Sequence, residues 1–201
     1  MTKPTLLLHT CCAPCLAYVY QLLDEAYSIT IYFYNPNIAP LTEYNKRLEE
    51  LQQFTLLKKI DLIVGDHDIH EWTGEVKKYR SLGEKSKRCY ACYAFRLNNT
   101  FIKAQSLQYD MVATVLSISP HKNASELNDI GSQLEKKYDI KYLEADFKKK
   151  DGFKNSVMLS KKYKFYRQDY CGCAYSRVER NKNSLWLQNR LNKELQLTHH
   201  I

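Results

Sequence analysis

Apolar positions along the chain alternate between short continuous runs and stripes at helical spacing. Thr5 to His9 is an apolar run with strand character, followed by Thr10, the first cysteines and Pro14. Leu16, Val19, Tyr20 and Leu23 then share one helical face. Ser28 to Tyr34, β-branched and aromatic, predicts a second strand that ends at the turn-rich Asn35-Pro36-Asn37. Beyond Pro40, a helical stripe continues through Tyr44, Leu48 and Leu51. The alternation recurs with a strand over Asp61 to Gly65, then a helix capped by Asp68 with Glu71 and buried through Trp72, Val76 and Tyr79.

A basic loop from Ser81 to Arg88 leads into Cys89 and a helix carrying Tyr93, Leu97, Phe101 and Ala104. Met111 to Ile118 reads as the strongest strand, stopping at Ser119-Pro120. Leu127, Ile130, Leu134 and Tyr138 mark a helix, Tyr142 to Phe147 a fifth strand, and Phe153 to Tyr163 another helix. Val178 to Leu197, with Leu187, Leu191 and Leu195 in register, predicts a closing amphipathic helix. Strands alternating with helices imply βαβ units and a mainly parallel sheet covered on both faces. The expectation is one α/β domain over residues 1–201, with a cysteine-bearing C-terminal segment and closing helix over about 164–201. In such sheets ligands bind outside the carboxyl ends of the strands. Thr10 to Cys12, Asn35 to Asn37, Asp66, and Ser117 to Asn123 all follow strands and fall on that rim.

Composition narrows the class. Of 201 residues, 44% are hydrophobic and 16 are tyrosine, too rich for a disordered polypeptide. No run approaches the ~20 apolar residues that cross a bilayer, so a soluble, cytoplasmic protein with no membrane partner is expected. A formal charge of +8 favours a polyanionic partner. A solvated basic face explains the same charge. The nucleotide-binding patterns G-x-G-x-x-G and G-x-x-x-x-G-K-S/T do not occur.

The seven cysteines carry the chemistry: Cys11, Cys12, Cys15, Cys89, Cys92, Cys171 and Cys173. Their odd number and clustering fit metal binding or thiol redox chemistry better than structural crosslinks. Cys11 and Cys12 lie where a strand gives way to a helix, whose N-H groups favour thiolates. With Cys89 and Cys92 they make two pairs, the four thiolates that an iron-sulfur cluster or a structural zinc requires. Cys171-Gly172-Cys173 suits a strained, redox-active disulfide, or two reduced cysteines completing a metal site. Cys12-Ala13-Pro14-Cys15 also reads as a thioredoxin-like C-x-x-C. Three functions stay open on these residues: a metalloenzyme, a thiol-disulfide oxidoreductase, and a zinc-stabilised RNA-binding module.

Several segments together resemble one family. His9-Thr10-Cys11-Cys12-Ala13-Pro14-Cys15, Tyr34-Asn35-Pro36-Asn37-Ile38, Glu43-Tyr44, Cys89 to Arg96, Ser119-Pro120 and Tyr166 to Ser176 are similar to the cobalamin-independent, iron-sulfur tRNA epoxyqueuosine reductases. The resemblance implies reduction of epoxyqueuosine to queuosine at the wobble position of a tRNA anticodon. It implies a [4Fe-4S] cluster held by Cys11, Cys12, Cys89 and Cys92, and a redox-active Cys171 and Cys173 pair. An additional iron, with Cys15 as a candidate ligand, and an external low-potential electron donor belong to the same expectation. The sheet resembles the nucleotide-hydrolase-like (HUP-like, Rossmann-type) class.

Proton donors must reach the epoxide oxygen, and Asp169, Tyr166 and Tyr175 are candidates by their nearness to Cys171 and Cys173. Ordinary packing accounts equally for the tyrosines. Asn35, Asn37, Ser119 and Asn123 are placed to hydrogen-bond a modified base, although turn and cap duties explain them too. Lys85, Lys87, Arg88, Lys148 to Lys150 and Arg167 are candidates for anticodon-loop phosphates.

Overall fold

The computed structural model describes residues 2–182. Five strands form one parallel sheet in the order β3-β2-β1-β4-β5. They are β1 (Thr5–His9), β2 (Ser28–Phe33), β3 (Asp61–Val64), β4 (Met111–Thr114) and β5 (Lys141–Tyr142). The helices are α1 (Ala13–Leu23), α2 (Leu41–Lys58), α3 (Ile69–Val76), α4 (Lys87–Ser106), α5 (Ala124–Tyr138) and α6 (Gly152–Lys162). Residues 174–182 are also helical, and the rest of the expected closing helix lies outside the described residues.

Continuous apolar runs produce the centre of this sheet. Leu6, Leu7 and Leu8 of β1 are all fully buried, because helices cover both faces of the middle strand. The outer strand β3 carries exposed Asp61 and Val64 instead. α5 packs closely against β5, where a Cβ on Gly131 would fall 2.2 Å from the Tyr142 ring. Among the described residues no helix is long and apolar enough to cross a membrane.

Two strands are shorter than the hydrophobic pattern predicts. β4 ends at Thr114, and Val115–Ile118 form a turn of 3-10 helix, although all four residues are buried. The register supplies the reason: Thr114 pairs with His9, the last residue of β1, so the ladder has no partner beyond it. Thr114 Oγ1 then accepts the Leu116 N-H at 3.2 Å and starts the turn. β5 pairs only through Lys141 and Tyr142 with Met111 and Val112. Past Leu143 N, which donates to Val112 O, the chain leaves the sheet, and Phe147 N meets the Ser117 hydroxyl instead.

The strand order reverses at β1, which pairs with β2 on one side and β4 on the other. The connections that leave β1 and β4 therefore part at this point, opening a crevice at their carboxyl ends. Cys11 and Cys12 follow β1 into that crevice, and Ser119 to Asn123 follow the 3-10 turn after β4.

Candidate metal and thiol centre

Pro14 sits in the first turn of α1, where its missing N-H costs nothing, and Cys12 is the extended residue before the helix. This tight strand-to-helix exchange brings Cys11, Cys12 and Cys15 together, their sulfurs all within 4.8 Å of one another. Cys11 Sγ and Cys12 Sγ are 3.8 Å apart, and Gln168 Nε2 donates to Cys12 Sγ at 3.1 Å. Three soft donors in one buried cluster can hold a metal ion.

The three thiols are held unequally by their mutual hydrogen bonds. Hydrogen bonds from Cys12 and Cys15 hold the Cys11 thiol well below its usual range. The same bonds to Cys11 push Cys12 up to about 12 and raise Cys15.

The other cysteines arrive from two further elements. Ser86 caps α4 by accepting the Arg88 N-H, placing Cys89 and Cys92 in the first turns. Cys89 joins Cys11 and Cys12 in one apolar cluster, while Cys92 and Cys173 pack with Trp72 and Val76 in another. Burial raises the thiols of both Cys89 and Cys92, and Cys171 adds to each rise. Burial, reinforced by Cys171, pushes Cys173 up to about 12. All seven cysteines are free thiols here.

Three cations surround this sulfur, two of them buried. Arg47 and Arg96 are each 1% exposed. Arg47 pairs with Glu43 at 2.7 Å and donates to the carbonyls of Cys171 at 3.2 Å and Tyr170 at 3.4 Å. Arg96 donates through Nη2 to Asn35 Oδ1, and Asn35 Nδ2 donates to Thr10 O at 2.8 Å. Lys122 is half-buried. Burial opposes its charge, but the sulfurs of Cys171, Cys11 and Cys15 outweigh that and raise its pKa. Below them, fully buried His9 spans the switch point: its Nδ1 lies 2.8 Å from Thr114 Oγ1 and its Nε2 3.2 Å from Tyr34 O. Burial, then Arg96, lowers His9 to about 3, so the imidazole is neutral.

Cys11, Cys15 and Cys171 line one cavity of about 510 Å³ with Ser119, Lys122, Arg167 and Asp169. Sulfur from the amino end, the rim after β4 and the carboxyl-terminal segment thus meet in a single crevice. A smaller space of about 260 Å³, lined by Lys85 and Asn123, shares Pro120, His121 and Lys122 with it.

The expected base-binding residues separate in space. Ser119 reaches the cavity and also accepts the His121 N-H at 3.3 Å. Asn123 caps α5 through the Ser125 N-H at 3.0 Å. Asn35 is enclosed by Thr10 and Arg96, and Asn37 is buried with its Oδ1 unpartnered. Arg167 donates to Ser160 Oγ at 3.2 Å and flanks the Phe153 ring. Asp169 lines the cavity and pairs with Arg180 at 3.2 Å. Tyr166 donates to Glu43 at 3.1 Å, and Tyr175 packs beside Trp72 and Arg88.

His9, Arg47, Arg96 and Lys122 escape a reading based on cysteine spacing. A signal existed for two of them: Arg96 falls on the stripe of Cys89, Cys92, Tyr93, Leu97 and Thr100, and Arg47 follows Tyr44 on the buried side of α2. A cation on an apolar stripe has to find buried partners.

The family model of epoxyqueuosine reductase QueH matches residues 6–179. Relatives include the epoxyqueuosine reductase QueH of Streptococcus pyogenes serotype M1, 39% identical over 180 residues, 87% of this chain and 71% of that protein. That of Thermotoga maritima is 37% identical, covering 89% of this chain and 93% of its own length. That of Acinetobacter baylyi is 35% identical, with 96% and 88% covered. The matched stretch runs from β1 through the segment that carries Cys171 and Cys173, and by it this chain belongs to the epoxyqueuosine reductase QueH family.

Proposed function

We propose that this chain reduces epoxyqueuosine to queuosine at the wobble position of a tRNA anticodon, the last step of queuosine formation. The observation that carries the proposal is the meeting of Cys11, Cys15 and Cys171 on one cavity beside a lysine. The net reaction takes two electrons and two protons, converting the epoxide to an alkene and releasing its oxygen as water.

The donor set fits an iron-sulfur centre. Arg96 and Trp72 are buried beside Cys92, and hydrogen bonds from both side chains favour its thiolate. Hydrogen bonds to a ligand sulfur are the kind that tune such a centre. Buried Arg47 and Arg96 offset the charge that four thiolates bring. In this reading Cys11, Cys12, Cys89 and Cys92 hold a [4Fe-4S] cluster, and Cys15 is the candidate ligand of an additional iron. When bound, the cluster supplies low-potential electrons one at a time from an external donor.

The protein's own groups do the rest. The thiols of Cys171 and Cys173 together can release two electrons and two protons on forming a disulfide, which makes the pair a relay. Of the three proton-donor candidates, Asp169 is the one on the cavity wall. Tyr166 already donates to Glu43, and burial pushes its hydroxyl up to about 12. Lys122 and Arg167 put positive charge on the same wall, where a nucleotide phosphate needs it. Ser119 and Asn123 remain the base contacts that the cavity rims support.

The test is conversion of epoxyqueuosine-bearing tRNA by anaerobically purified, iron-reconstituted protein. Queuosine should appear, and Cys89→Ala should abolish both visible absorbance and turnover. A colourless, iron-free protein that reduces protein disulfides, or one that binds zinc tightly without redox activity, would replace this reading.

A further inference from the structure

We infer that Arg96 and Trp72 are positioning residues for the iron-sulfur centre, donating Arg96 Nε-H and Trp72 Nε1-H to sulfur on its Cys92 side and so favouring its reduced form. The inference rests on the reading above and extends it to residues that bind no metal.

Three observations support it. Arg96 lies one helical turn beyond Cys92 on α4, so the two side chains share a face. Its guanidinium donates Nη2 to Asn35 Oδ1 and also hydrogen-bonds to Cys92, favouring the thiolate there. Trp72 is 2% exposed, packs in the cluster of Cys92 and Cys173, and hydrogen-bonds through its indole N-H to Cys92. Hydrogen bonds from both side chains favour the charged form of Cys92, so the acceptor they face is that cysteine's sulfur.

The physical consequence concerns reduction. A single electron from a low-potential one-electron reductant, dithionite in the test, adds one negative charge to the centre; no bond forms or breaks. Arg96 holds a positive charge inside low-dielectric surroundings, where it stabilises the added charge more than water would. Both N-H groups strengthen as donors when the sulfur gains charge. Asn35 fixes the orientation of Arg96 by bonding it from the side of Thr10.

The experiment is a spectroelectrochemical titration of reconstituted protein, with iron and acid-labile sulfide measured on the same samples. Arg96→Gln should lower the midpoint potential by about 59 mV or more, a tenfold change in the one-electron reduction equilibrium. Arg96→Lys, which keeps the charge and loses Nε, should fall between it and the parent. Trp72→Phe, which keeps the ring packing, should give a smaller fall in the same direction. Fully loaded Arg96→Gln with the parent potential overturns the inference. Should Arg96→Gln fail to fold, a loaded Trp72→Phe or Arg96→Lys protein at the parent potential does the same. A parent protein that takes up no iron and sulfide defeats the reading beneath instead, so the two failures are distinct.

Discussion

Arg47 Nη1 donates to the backbone carbonyl of Cys171 at 3.2 Å, joining the middle of α2 to the segment that carries the last two cysteines. The same guanidinium reaches Tyr170 O and pairs with Glu43, whose second oxygen accepts from Tyr166. Glu50, a further turn along α2, accepts the Tyr166 N-H. Two helical turns of α2 thus clamp residues 166–171. Tyr170 Oη and Ala39 N add bonds of 2.9 Å from the loop before α2.

Because this pair is buried, removing one member leaves the other charge stranded. Arg47→Met should cost about 3 kcal/mol in chemical denaturation. Glu43→Leu in the same chain should return part of the loss, since no unpaired carboxylate then remains. An unchanged denaturation midpoint in the single variant would show that the clamp contributes nothing.

Gly172 has φ +119°, in the region that favours glycine, and its carbonyl accepts from Ala39 N at 2.9 Å. A Cβ there would meet Arg47 Nη1 at 3.0 Å and Ile38 Cγ1 at 3.1 Å. Gly172→Ala should therefore cost about 2 kcal/mol in backbone strain. In a chain of this size that lowers Tm by roughly 6 °C, readable by calorimetry. A Tm equal to the parent's would show that the segment adjusts without strain.

Thr114 holds the neutral His9 at the switch point and also caps the 3-10 turn. Thr114→Val keeps the shape and removes the hydroxyl, leaving His9 Nδ1 and Leu116 N without their partner. The expected loss is about 1–3 kcal/mol in urea unfolding, with Thr114→Ser recovering most of it. Equal stability of the Val and Ser variants would mean that packing alone secures this position.

The sheet was legible wherever burial was two-sided. β1 and β2 stand out as apolar runs, and α1, α4 and α5 as stripes, because each buries a face set by local periodicity. Val115 to Ile118 misled for the same reason: an apolar run signals burial, whereas a strand also needs a neighbour, and β1 had already turned at Cys11. The cysteine groups were visible as spacing, and the rim was predictable from alternating elements. Arg47, Arg96 and Lys122 were not, since their partners come from the C-terminal segment, from Asn35 and from two separate cysteine groups. Such contacts are written in tertiary structure and have no periodicity to read.

The proposed relay gives Cys171 a role apart from holding a metal. Its sulfur lines the cavity with Cys11 and Cys15, whereas Cys173 is buried behind it, accepting the Ser176 N-H at 3.4 Å. Exchange by such a pair begins at the accessible sulfur. Cys171→Ser should retain the parent's iron and sulfide content and visible spectrum, but lose turnover with the natural electron donor. Cys173→Ser should lose turnover as well, because a relay needs both sulfurs. Full turnover in either variant would remove the pair from the electron path, and loss of iron in Cys171→Ser would move that residue into the ligand set.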